Sequence, residues 1–114
     1  MDDAESVVEG LMPDFAVQLV NSDEIVTGRI AETNAEDFGL DDYFVEEAEF
    51  EFGGRQVRFS VWIELEGSQS GLEEPWNGNH FRVRVTGSAK RKGHSWQIKE
   101  HTIHEIYSNT EEHA

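Results

Sequence analysis

Two runs of strand-like alternation on either side of a glycine pair constrain this chain more than any other feature. In residues 44–52, Phe44, Ala48, Phe50 and Phe52 alternate with Val45, Glu47, Glu49 and Glu51. A period of two puts one set on a dry face and the other in water. Val57, Phe59, Val61, Ile63 and Leu65 then alternate with Arg58, Ser60, Trp62 and Glu64. Gly53-Gly54 between them is a hairpin signal, because both positions can take positive φ. With those glycines as a two-residue loop, Phe52 pairs with Arg55, Phe50 with Val57 and Ala48 with Phe59, while Glu49 meets Arg58 and Val45 meets Trp62. Apolar meets apolar and acid meets base, a match that a slip of one residue would destroy.

Two further strands follow. The third is expected from about His80 to Ala89, with Phe81, Val83 and Val85 inward and Arg82, Arg84 and Thr86 outward. After a turn near Lys92-Gly93, the fourth begins at Trp96 and Ile98. Ile98 and Ile103 are five apart and cannot share a face of a regular strand, so a bulge near Glu100 or His101 is expected. Residues 66–79, rich in Gly, Ser, Asn and Glu, read as a long loop. Upstream, Asp2, Asp3 and Glu5 suit the positive end of a helix dipole, Val7, Val8 and Leu11 share a face, and Pro13 ends or restarts the helix. Residues 14–20 lean to helix. Residues 24–31 stay open, because Asn21-Ser22-Asp23 can cap a helix while Ile25, Val26, Thr27 and Gly28 suit a strand. Thr33 to Asp42 reads as a loop.

Charge narrows the partners. Net charge is −15, from 24 acidic against 9 basic side chains. Residues 1–52 hold 16 of the acids and a single base, Arg29, whereas residues 53–114 balance eight against eight. Phosphate recognition needs clustered Lys and Arg, and the one basic cluster, Lys90-Arg91-Lys92, ends at a glycine and tips a hairpin. Nucleic acid is therefore disfavoured as a ligand; the charge either speeds encounter with a basic protein partner or simply maintains solubility. With no cysteine in the chain, disulfides, thiol catalysis and Cys-ligated metals are excluded. No apolar run has the length of a membrane span, and the start Met1-Asp2-Asp3-Ala4-Glu5-Ser6 has neither a basic nor an apolar leader region; a cytoplasmic location is expected.

Few residues carry chemistry. No G-x-S-x-G, Walker A or G-x-G-x-x-G pattern occurs. His101-Thr102-Ile103-His104-Glu105 offers His101, His104 and Glu105 as metal ligands, although i and i+3 on a strand point to opposite faces unless a bulge intervenes. Asp41-Asp42 and Glu46-Glu47 lack the spacing of an EF-hand. Trp76, before Asn77-Gly78-Asn79, and Trp62, outward on a strand, read either as covers for the core or as partner contacts. The outward acids Glu47, Glu49 and Glu51 face the bases Arg58, Arg82 and Arg84, a pattern that neutralises a solvated face.

Taken together, Thr33-Asn34-Ala35, Gly39-Leu40-Asp41-Asp42-Tyr43, Glu46-Glu47-Ala48-Glu49-Phe50, Glu66-Gly67-Ser68-Gln69 and Pro75-Trp76-Asn77-Gly78 resemble a small acidic β-rich module of uncharacterised bacterial proteins, seen also attached to predicted pPIWI-associating nucleases. The resemblance spans residues 30–107. It implies an accessory module with no catalytic residues to carry over. Members of that group often have Cys where this chain has Asn77, which argues against a metal or redox role at that position.

The expected fold is α+β: one or two N-terminal helices on an antiparallel sheet of four to five strands, arranged as a meander of hairpins over residues 1–107, with a flexible polar tail at 108–114. The expected function is that of an acidic interaction module binding another protein through Trp62, Trp76, Glu47, Glu49 and Glu51, without a cofactor. The alternative is a small-ligand or metal-dependent enzyme using His80, His101, His104 and Glu105. Mimicry of DNA by the acidic half is a third reading. Open sheet edges allow a homodimer.

Overall fold

A computed structural model describes residues 3–32, 37–68 and 80–108. Two helices, α1 (Ala4–Ser22) and α2 (Glu24–Ile30), precede four strands: β1 (Asp37–Glu51), β2 (Gln56–Ser68), β3 (His80–Lys92) and β4 (Ser95–Ser108). The strands form one antiparallel meander in the order β1-β2-β3-β4. This is the α+β architecture expected, with both helices on one face of the sheet.

The central pair sets the frame. β2 and β3 run in unbroken register from Gln56↔Lys90 to Glu66↔His80. Val57, Phe59, Val61, Ile63 and Leu65 thus lie beside Ala89, Gly87, Val85, Val83 and Phe81, and every one of these apolar side chains is buried. Onto this grid α1 lays Val8, Met12, Phe15, Ala16 and Leu19, a stripe at helical spacing. Asp3 caps α1 by accepting from the Ser6 amide at 2.8 Å. Pro13, expected to end or restart the helix, instead sits inside it. It lies on the exposed side, between the buried Met12 and Phe15. Burying side chains of that size contributes about 1.5–3 kcal/mol each, which offsets the ~3 kcal/mol that an internal proline costs.

The edge strands depart from simple alternation. β1 shifts register between Leu40 and Asp42 and again between Val45 and Glu47, so Asp41 and Glu46 are bulged. β4 shifts opposite Ser88/Ala89 and Arg84/Val85, so Lys99 and His104 are bulged. The expected bulge near Glu100 or His101 therefore falls at Lys99, with a second one downstream. Together they bring Ile98, Ile103 and Ile106 to the core. In β1 the bulge at Glu46 corrects the sequence reading: Val45 pairs with Val61 and turns inward, whereas Phe44 pairs with Trp62 and turns outward. β1 also begins at Asp37, where the sequence reads as loop, and β3 extends three residues past Ala89.

The hairpin register of β1 and β2 is as expected for Ala48↔Phe59, Glu49↔Arg58 and Phe50↔Val57. The loop is longer than two residues, because pairing stops at Glu51↔Gln56 and Phe52–Gly54 form a 3-10 turn. Phe52, Gly53 and Gly54 all have positive φ (52°, 66° and 87°). The long loop expected over 66–79 is shorter at its start, because β2 reaches Ser68. Trp76 lies outside the described residues, as does the tail beyond Ser108.

Gly87 is the one inner-face position on β3 without a side chain, and geometry requires it. A Cβ there would stand 2.9 Å from Phe59 Cζ and 3.1 Å from His101 Cα, as well as against the Glu100 carbonyl oxygen. The backbone atoms cannot yield without breaking the β3–β4 ladder. Gly87→Ala is expected to destabilise the fold by about 2–3 kcal/mol, read as a lowered urea midpoint with an unchanged m-value.

Candidate interaction face

The helices occupy the inner face, and among the described residues no element lies across the outer one. That face is crossed by charge pairs between strands. Glu49 accepts from Arg58 Nη2 at 2.8 Å, with Glu51 3.9 Å from the same guanidinium. Glu46, swung out by its bulge, accepts from Ser60 Oγ at 3.1 Å and from Arg84 Nε at 3.2 Å. The hydrogen bond from Arg58 to Glu49, then the fields of Glu51 and Glu49, hold the Arg58 pKa above its ordinary value. Water screens such exposed pairs, so they add little stability and mainly keep the face neutral and wet.

One end of the face is different. Phe44 on β1 is 65% exposed and faces Trp62 on β2. Trp62 stacks on Tyr107 of β4, with ring centroids 6.4 Å apart and planes 22° from parallel. The Arg82 guanidinium lies 5.7 Å from the centre of the Trp62 ring. Asp42, Tyr43, Phe44, Trp62, Glu64 and Arg82 line an open depression here. The rings of Phe44, Trp62 and Tyr107, the Arg82 guanidinium and the Asp42 and Glu64 carboxylates thus share one end of the outer face. Aromatic and Arg side chains are the residue types that dominate binding hot spots. A helix cover for Trp62, one of its two sequence readings, is not seen, because both helices lie on the opposite face.

The residues singled out in the sequence scatter. Glu47 and Glu49 stand exposed, and Glu51 half-buried, along β1. His101, His104 and Glu105 are not brought together. His101 turns inward, its ring edge-on to Phe15 at 5.3 Å, with Nε2 2.6 Å from Asp23 Oδ2. His104, on its bulge, bonds Thr86 Oγ1 at 2.6 Å on the outer face. Glu105 accepts from Tyr107 Oη at 3.1 Å. His80 Nε2 instead lies 3.7 Å from both Asp41 Oδ2 and Glu64 Oε1. Sequence reading missed Phe44, Arg82 and Tyr107 as parts of one surface. Its one usable signal was the parity conflict between Phe44 and Val45.

Asp23 is the other group whose role emerges only in three dimensions. Its amide donates to Leu19 O at 3.2 Å and closes α1. Its Oδ1 accepts from the Ile25 and Val26 amides at 2.9 and 3.0 Å and starts α2. Its Oδ2 reaches His101 across the core edge. Burial alone would raise its pKa, but the Val26 amide, His101 and the Ile25 amide together outweigh that and hold the carboxyl below its ordinary value.

No family model matches the sequence, and no curated protein matches it. Among solved structures, the chain is similar to the intermembrane space region of the chloroplast protein ARC6, at 16% identity over 90% of this chain and 96% of that one, with a TM-score of 0.53. The likeness is one of fold: the helix pair on a four-stranded antiparallel meander is an α+β arrangement found elsewhere.

Asp23→Ala removes a helix cap and leaves a half-buried imidazole without its acceptor, and is expected to cost about 2–3 kcal/mol at pH 7. Because the folded carboxyl titrates below its unfolded counterpart (~3.9), its stabilisation is complete above that value and is lost as pH falls through the folded one. Urea titrations should show the gap between wild type and Asp23→Ala wide at pH 7 and narrowed near pH 3.

Proposed function

We propose that the chain is a non-catalytic interaction module that docks a basic, partly apolar segment of another protein on the outer sheet face. The exposure of Phe44 beside Trp62 and Arg82 carries this reading. A bulge at Glu46 turns Phe44 into water, when regular alternation from Ala48 would have buried it. A fold that departs from its own pattern to expose an aromatic ring gives up core burial, and such departures mark functional surfaces. The partner's charge follows from the acids around the patch. Asp42 and Glu64 line it, Glu47 continues along β1, and the first 52 residues carry the whole net charge. Long-range attraction then brings a basic segment in, and the rings hold it. The accessory role implied by the resemblance to the small acidic bacterial module points the same way.

A displayed library of random 15-residue peptides, panned on the full chain, tests this. Enrichment of sequences combining Lys or Arg with aromatic or large aliphatic residues is expected. Affinity of the selected peptides should fall roughly ten-fold or more with Phe44→Ser or Trp62→Ala. It should also weaken as salt rises from about 0.1 to about 0.5 M. Enrichment of acidic peptides, or binding indifferent to both substitutions, overturns the reading.

A further inference from the structure

We propose that Asp41, Glu64 and His80 form a binding site for a divalent transition-metal ion of the zinc class. The site adjoins the aromatic patch, with Glu64 at the border of both, and does not rest on the docking reading.

Three neighbouring strands supply the donors. Glu64 lies on β2 opposite Asp42, and His80 opens β3 opposite Glu66, so both project to the outer face at the same end of the sheet. Asp41 joins them because the first bulge of β1 falls on it. Without that extra residue, outward and inward positions of β1 would exchange beyond Leu40.

The distances favour an ion over a direct bond. His80 Nε2 stands 3.7 Å from each carboxylate oxygen, beyond hydrogen-bond reach. The ligand atoms of the three groups all lie within 4.8 Å of one another. A point equidistant from three atoms so spaced is about 2.1–2.4 Å from each, at or a few tenths beyond zinc–nitrogen and zinc–oxygen bond lengths. Two carboxylates this close repel, and a dication between them turns that repulsion into attraction. The nearby cation does not fill the role, because Arg82 holds its guanidinium over the Trp62 ring.

Donor chemistry narrows the ion. One imidazole nitrogen favours zinc and its neighbours over magnesium and calcium, while two carboxylates neutralise a dication. Side-chain exposures of 28% for His80, 29% for Glu64 and 46% for Asp41 leave the outward side open to water, which completes the coordination. The bound ion clamps the start of β1 to the two central strands.

The test is calorimetric titration of zinc chloride into chain stripped with EDTA, alongside thermal melts. One ion per chain is expected, with the melting temperature raised by roughly 10 °C at a hundred-fold excess over Kd. His80→Ala, Glu64→Gln and Asp41→Asn should each weaken binding roughly ten-fold or more, whereas His104→Ala leaves it unchanged. Far-UV circular dichroism confirms the fold of each variant. Should His80→Ala fail to fold, Asp41→Asn at the exposed edge decides, with the visible absorption of bound cobalt as second readout. Absence of saturable binding by the wild-type chain, unchanged affinity in the folded ligand variants, or loss with His104→Ala would overturn the assignment.

Discussion

The unbroken register of β2 against β3 is the constraint on which the remaining structure depends. Nine apolar side chains and Gly87 form two matched inner rows with no polar group among them. Neither row is stable in water alone, so a second layer must cover them, and α1 supplies it through Val8, Met12, Phe15, Ala16 and Leu19. That demand overrides local preference twice. It carries α1 through Pro13, and it keeps Ile25, Val26, Thr27 and Gly28 helical, because Val26 must reach the core and Asp23 provides the cap. Gly87 is the other side of the same packing: the space a side chain would take on β3 is occupied by the ring of Phe59 and the backbone at Glu100 and His101.

How much of the fold is legible in the amino-acid sequence tracks how regular each strand is. β2 and β3 alternate without a break, so their inward and outward residues can be read from periodicity alone, as can the pairing of Ala48, Glu49 and Phe50 with β2. The edge strands cannot, since each contains two bulges. A bulge leaves no composition signal of its own and shows only as a change of parity. In β4 the five-residue gap between Ile98 and Ile103 reveals one, displaced by a residue. In β1 the neighbouring Phe44 and Val45 are both apolar, so hydrophobicity does not say which is buried, and the aromatic patch stays hidden in that ambiguity. Likewise, Asp41 and His80 are 39 positions apart in the chain, and only the meander with its bulge brings them together.

His101, the first residue of the candidate metal cluster read in the sequence, has a structural role. His101 and Asp23 join β4 to the junction of the two helices. One residue serves there as C-terminal closure of α1 through its backbone, N-cap of α2 through one carboxylate oxygen, and acceptor for an imidazole through the other. The same side chain therefore sets the angle at which α2 leaves α1 and fastens that corner to the sheet. Loss of any one of these bonds strains the other two, which is why a single polar group at the rim of an apolar core can matter as much as a buried aliphatic.

Surface roles divide along the same lines. An open four-stranded sheet has two edges that invite pairing with another chain, and here both edges are bulged at two points, with Asp41 and Glu46 bulged on one and Lys99 and His104 on the other. Each bulge interrupts the row of free backbone groups and places a polar or charged side chain in it, which blunts strand-to-strand association. The inner face is consumed by the helices, and most of the outer face is neutralised by pairs such as Glu49–Arg58 and Glu46–Arg84. The end of the outer face bearing Phe44, Trp62, Arg82 and Tyr107 keeps aromatic area turned to solvent. The two bulges that disarm the β1 edge are the same ones that rotate Phe44 and Asp41 outward, so protection of that edge and construction of the candidate sites are one structural event.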